Sequence, residues 1–222
     1  MTLSDILEKF RRENPDVTIR VADDSTVKDW MLSADKEACA IARCIVGDVT
    51  FNSVTSTSVY NTKYDLVANV PKFYDIDNYP GGGVSFDDDP LDKTTVAELD
   101  QENEGWRTGS AGTPEKYYRR GKYLYFDCPV KTSGLEIRVY ASLISDDFTG
   151  NDQTPYNGLS YLEPFHSAIL KYLEWKGKTK VGKPGEAQAK RQEFIEYAQW
   201  MKSQLGGNKY SPIRFTKSSA YS

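Results

Sequence analysis

The side chains able to do chemistry in this chain are few, and their spacing suits catalysis poorly. His166 is the only histidine among 222 residues. Imidazole is the usual proton carrier near neutral pH and a common zinc ligand, but both roles need partners at set positions. The three cysteines, Cys39, Cys44 and Cys128, form no CxxC pair, so a zinc site of His and Cys lacks its ligands. No serine stands in a GxSxG elbow, and a His-based triad has only His166 to draw on. His166 therefore reads as a structural histidine, one turn into a helix beside Phe165. Cys39 and Cys44 sit five residues apart on one expected helix, which turns them to different faces. With Cys128 they read as reduced structural thiols.

Acidic runs come next. Tyr79–Asp89 mixes glycines with acids but lacks the GK[ST] ending of a phosphate-binding loop. Asp87–Asp89 and Asp146–Asp152 offer hard oxygen ligands without the spacing of a calcium loop, and read as solvated loops. Carboxylate pairs of the glycosidase kind occur somewhere in any acidic protein, and nothing here singles one out. Of opposite sign, Arg119, Arg120 and Lys122 stand among Tyr117, Tyr118 and Tyr123, a mixture that suits a phosphate backbone. A charged tip that keeps a strand pair soluble is the simpler reading. The expectation is a chain without enzyme activity, cofactor or metal.

Charge and composition point towards association instead. Fifteen tyrosines bring the aromatic share to 13%, which suits protein interfaces as well as half-exposed strands. The net charge of −4 excludes a generally basic nucleic-acid coat. From residue 159 onward there are eleven basic and five acidic residues, against seventeen and twenty-seven in residues 1–158. An acidic body with a basic C-terminal region suits docking onto an acidic neighbour or stacking between copies; a solvated helix face explains it equally. No stretch approaches the roughly 18 apolar residues of a membrane span. The segment MTLSDILEKFRREN has no signal-peptide pattern, so a protein made and kept in cytoplasm, or released only by lysis, is expected.

The positioning elements follow from periodicity. Leu3, Ile6, Leu7 and Phe10 recur at helical spacing, and Pro15 closes that helix. A second helix, capped by Asp24 or Ser25, carries Val27, Trp30, Met31, Ala34, Ala38, Ile41 and Ile45 and is expected to end at Gly47. Its alanines allow close packing against another helix. Residues 48–60 have strand composition, and KFYDIDNY reads as a short strand. YPGGGVSFDDDPLDKTT reads as a long loop, and TVAELDQEN as a short helix. Glu115–Arg119 and Lys122–Asp127 form a hairpin around Arg120-Gly121. Leu135, Ile137, Val139 and Ala141 alternate with Glu136, Arg138 and Tyr140 as a half-buried strand. Residues 145–158 read as a polar linker. A helix over about 160–176 and another over 186–205, whose apolar seam is Ala187, Phe194, Ala198, Met201 and Leu205, are separated by the loop KGKTKVGKPG and complete the pattern.

Neither terminal helix pair buries its stripe alone, so the expected fold is α+β: a four-helix bundle of N- and C-terminal helix pairs with an inserted antiparallel β domain. The expected boundaries are 1–47 and 159–206 for the bundle, 48–145 for the β domain and 207–222 for an extended tail. The tail follows a double glycine and cannot bury enough apolar surface alone. Tyr210, Ile213 and Phe215 are nonetheless spaced like anchors, with Lys209, Arg214 and Lys217 around them, and such a segment gains order in a neighbour's groove or as an added strand.

Three segments carry a resemblance. VADDSTVKDWMLSADKEACAIARCI resembles the early helix of the head-to-tail adaptor, or connector, proteins of tailed bacteriophages. AELDQENEGWRTGSAGTPEKYYRRGKYLYFDCPVKTSGLEIRVYA resembles that family's run of a tryptophan, a GxP step, a tyrosine pair, a hairpin and an alternating strand. PYNGLSYLEPFHSAILKYLEWKGKTKVGKPGEAQAKRQEFIEYAQWM resembles its closing helical hairpin. The Gly/Asp-rich loop around 80–92 is extra against many relatives, which are shorter and mostly helical. The resemblance implies a virion protein assembled in host cytoplasm at the head–tail junction. It implies a ring, typically of twelve copies, binding the portal above and tail or nozzle proteins below, retaining the genome and letting double-stranded DNA pass without sequence specificity. Tyr210, Ile213, Arg214, Phe215 and Lys217 would then contact the portal or an adjacent subunit. A carbohydrate- or receptor-binding module with a tyrosine-rich β platform is the alternative.

Overall fold

A computed structural model describes residues 1–20, 23–59, 63–76 and 83–207. Helix α1 (Leu3–Glu13) begins at a capping box in which the Thr2 hydroxyl accepts from Asp5 N–H while the Asp5 carboxylate accepts from Thr2 N–H, satisfying two orphan donors of the first turn. Pro15 ends it and opens α2 (Pro15–Arg20), since proline fits a first helical position where no N–H is needed. Helix α3 (Asp24–Ala42) is capped by Asp23, one residue before the expected caps, whose carboxylate accepts from Ser25 N–H.

The strands follow: β1 (Ile45–Asn52), β2 (Tyr64–Asp65), then helix α4 (Leu66–Asn69), β3 (Phe73–Ile76), β4 (Val84–Phe86), β5 (Asp89–Pro90) and β6 (Asp92–Lys93). After helix α5 (Val96–Glu102) come β7 (Lys116–Arg120), β8 (Tyr123–Phe126) and β9 (Glu136–Leu143). The chain closes with α6 (His166–Lys180) and α7 (Pro184–Gly207). The fold is α+β, with two mainly antiparallel sheets; only the short β6–β7 pairing among the described strands is parallel. One sheet is ordered β1-β9-β4-β5, with β3 also on β9; the other is ordered β2-β8-β7-β6.

Helices α1, α3, α6 and α7 contribute to one apolar cluster, which includes Phe10, Met31, Ala38, Leu173 and Phe194. A second cluster lies between the sheets, built on Phe86, Tyr117, Leu124, Phe126, Ile137 and Val139. The alternation read in residues 135–141 holds from Glu136 on: Ile137, Val139 and Ala141 are buried and Glu136, Arg138 and Tyr140 half-buried, while Leu135, expected inward, precedes the strand and is half-buried. The seam of the last helix holds as well, with Ala187, Phe194, Ala198 and Met201 buried.

Four local expectations are corrected. The second helix stops at Ala42, not Gly47, because Arg43 adopts a left-handed conformation (φ 52°) as its C-cap. The β-branched run after it then pairs with β9 from Ile45 on, so Ile41 is half-buried and Ile45 enters the core from a strand. Within the supposed loop 80–92, Asp87 and Asp88 both take positive φ (51° and 69°) and turn β4 back on β5. Aspartate tolerates that region, so the acidic run is a hairpin tip. The supposed linker 145–158 is fastened to the helices: the Gln153 and Asn151 carbonyls accept from Leu3 and Ser4 N–H, and Tyr156 is buried. Lys176–Lys180, expected as loop, is helical, and its Gly177 has a packing reason. A Cβ there would stand 2.6 Å from Val17 Cγ1. Gly177→Val is expected to destabilise the protein by about 1–3 kcal/mol, read as a lower midpoint in a urea melt; an unchanged midpoint would show that α2 does not rest on α6.

Candidate functional site

The residues first considered for chemistry are dispersed. His166 opens α6, not its second turn, after a 3₁₀ segment that contains Pro164. It is 1% exposed; its Nδ1 lies 3.2 Å from the Met1 amino group, and its buried Nε2 has no hydrogen-bond partner among the described residues. Burial, reinforced by the nearby amino group, holds its pKa down at about 4, so it is neutral at pH 7. Of its two ring nitrogens, one therefore meets the Met1 amino group and the other is left over among the described residues.

Cys39 and Cys44 do not face apart. The early helix end and the left-handed Arg43 swing the chain back, so that Cys44 Sγ lies 3.6 Å from Cys39 Sγ, both buried. Among the described residues, no group of three or more His, Cys, Asp or Glu side chains is gathered to hold a metal. No described helix is long and apolar enough to cross a membrane.

One buried group escaped the sequence reading. Asp35 is 0% exposed on α3, and its Oδ1 accepts from Tyr156 N–H at 3.0 Å. Burial pushes its pKa up to about 6, against the pull of the Ser145 hydroxyl and the Tyr156 N–H. The signal was present, because Asp35 follows Met31 by four residues and so shares the core face. Its task is to tie the 145–158 segment to the helices.

The hairpin expected at Arg120-Gly121 is present with its turn one residue later, at Gly121-Lys122, where Gly121 has φ 61°. Its tyrosines spend their faces on each other: Tyr118 and Tyr125 stack 5.0 Å apart at 7°, and Trp106 meets Tyr118 edge-on. Two of the basic residues near the tip are paired, Arg119 with Asp75 and Lys122 with Asp65. A cleft of about 450 Å³ opens where β1 runs out, between Val54–Thr57 and Lys131. It offers hydroxyls and the amines of Lys63 and Lys131.

The basic surplus of the C-terminal helices is largely internal. Lys171 and Lys190 bridge Glu174 and Glu193, Lys178 and Lys183 hold Asp16 and Glu186, and Arg191 pairs with Glu37. Lys183 and Lys178 together hold Asp16 at about 2. These pairs tie α6 and α7 to each other and to α2 and α3. Residues 208–222 carry three basic residues and no acid. Tyr210, Ile213, Arg214, Phe215 and Lys217 lie outside the described residues.

The family model described as SU10 adaptor protein matches residues 1–214. No curated protein matches the chain.

Proposed function

The chain belongs to the SU10 adaptor protein family, and from that premise we propose that it is a non-enzymatic virion protein whose copies form a ring between the portal and the tail of a bacteriophage. The family match over nearly the whole chain carries this reading. The ring would hold the packaged genome and provide a channel for double-stranded DNA. Residues 1–207 hold 25 basic and 32 acidic residues, and an acidic wall repels phosphates, letting DNA slide without sticking. Twelve copies is the expected number.

In this reading the terminal helices, up to Ala42 and from 159 to 206, form one bundle, and an inserted β domain begins with β1 at Ile45, ahead of the boundary expected at 47/48; the separate apolar clusters support that division. The 207–222 tail is the element that attaches each copy to the portal or to an adjacent subunit, with Tyr210, Ile213 and Phe215 as apolar anchors and Arg214 and Lys217 as charges. An extended segment of this kind gains order only on its partner. Deleting residues 207–222 is expected to leave the melting temperature of the monomer within about 2 °C, since changes away from packed groups shift stability by roughly 0.5 kcal/mol. The same deletion is expected to abolish ring assembly or sedimentation with the portal. Normal assembly of the truncated chain would remove the tail from this role.

A further inference from the structure

Strand β1 pairs residue for residue with β9 along Ile45–Asn52, and no described strand pairs its other side. Ser53 N–H donates to the Leu135 carbonyl, next in register to β1, whereas Tyr140 N–H, opposite Asp48, turns away to the Gly83 carbonyl. Antiparallel pairs alternate between bonded and non-bonded residues. The N–H and C=O groups of Val46, Asp48, Thr50 and Asn52 therefore point to the open edge. Such edges are usually protected by lysine, proline, a bulge or short length. This one is eight residues long, in unbroken register, with one charge and neither lysine nor proline. Val46 is 56% exposed at its start and Val54 60% just beyond its end.

Resting on the ring reading, we propose that this edge receives residues 209–217 of a second copy of the chain as an added parallel strand. Pro212 has no N–H, so a strand through it must turn the even-numbered residues away from β1 and bond through Ser211, Ile213 and Phe215. In a parallel pair, each residue bonding across stands opposite one whose groups face away. Arg214 is then level with Asp48 or Thr50 on the exposed face, the charge match this edge offers. Ile213 and Phe215 fall on the other face, extending half-buried Val49 and Phe51. An antiparallel strand would place those two apolar side chains on the solvent face instead. The fifteen residues after α7 are ample for a nine-residue strand with a short lead.

The test places a benzoylphenylalanine photocrosslinker at Thr50 in the full chain and maps the adducts. Crosslinks between two copies, landing within 209–217, are expected; crosslinks within one copy, or elsewhere, would overturn the proposal. Thr50→Pro removes one outward N–H without touching the β9 ladder. It is expected to keep the fold by circular dichroism while weakening self-association at least tenfold. Should that variant misfold, the charge reversal Asp48→Arg is expected to weaken association, and adding Arg214→Asp to restore it; no restoration would count against the pairing. Rings that dock on the portal while crosslinks miss the tail would sink the edge pairing and leave the ring standing. A chain that stays monomeric at every concentration, with no crosslink, would sink both.

Discussion

Ala38→Asp is expected to leave no soluble, cooperatively folding protein. Ala38 is 0% exposed on α3, within the cluster to which α6 and α7 also contribute. A carboxylate buried there without a partner costs several kcal/mol, against a total stability of about 5–15 kcal/mol for a domain. The added volume compounds the loss, because the small side chain sets how closely the neighbouring helices approach. Ile41→Asp, which the periodicity alone ranks as equally damaging, is expected to fold with a lower melting temperature, since half-buried Ile41 lets the carboxylate reach water. Soluble yield and thermal melts of the two variants side by side check the ranking. A soluble Ala38→Asp protein melting like the parent would show that this face of α3 is not core.

That contrast shows where the sequence was legible and where it was not. The helix stripes, the 135–141 strand and the last seam were readable because each repeats a period over many residues, with one face buried. The end of α3 was not, because it turns on a single left-handed residue, Arg43, of a type that seldom adopts that conformation. That one turn decides whether Ile45 is helical, whether Cys39 meets Cys44, and where β1 begins. The turn at Asp87-Asp88 escaped for the converse reason, since three consecutive aspartates read as a solvated loop until their backbone angles are known. Of the residues weighed for chemistry, the sequence placed His166 in a helix but gave no sign that Met1 would lie against it from 165 positions away. The open edge of β1 was equally hidden, since which strand is left at an edge depends on pairing order, which composition does not encode.

Two of these buried groups oppose each other in a way a pH titration of stability can read. Asp35 has its folded pKa raised to about 6, from 3.8. The folded state therefore holds its proton more tightly than the unfolded chain, and this contribution to stability is present at low pH and lost as pH rises from about 4 to 6. A shift of about two units corresponds to about 3 kcal/mol at most. His166 has its folded pKa lowered to about 4, from 6.5. Its contribution is present above pH 6.5 and lost as pH falls towards 4. Lys36, Cys39, Ser145 and Tyr156 face Asp35, and the Met1 amino group, Glu163 and the Tyr156 ring face His166. Ion-paired carboxylates with lowered pKa, such as Asp16 and Asp147, lose their contribution only below about pH 4. The parent is thus expected to show a nearly flat melting temperature between pH 4 and 6.5, because the two slopes have opposite sign. Asp35→Asn, whose amide oxygen can still accept from Tyr156 N–H, is expected to gain stability above pH 6 and to lose it steadily on acidification. His166→Gln is expected to show the reverse, growing more stable as pH falls from 6 to 4. Parallel pH profiles for the parent and both variants would show that neither group is buried in the state that melts.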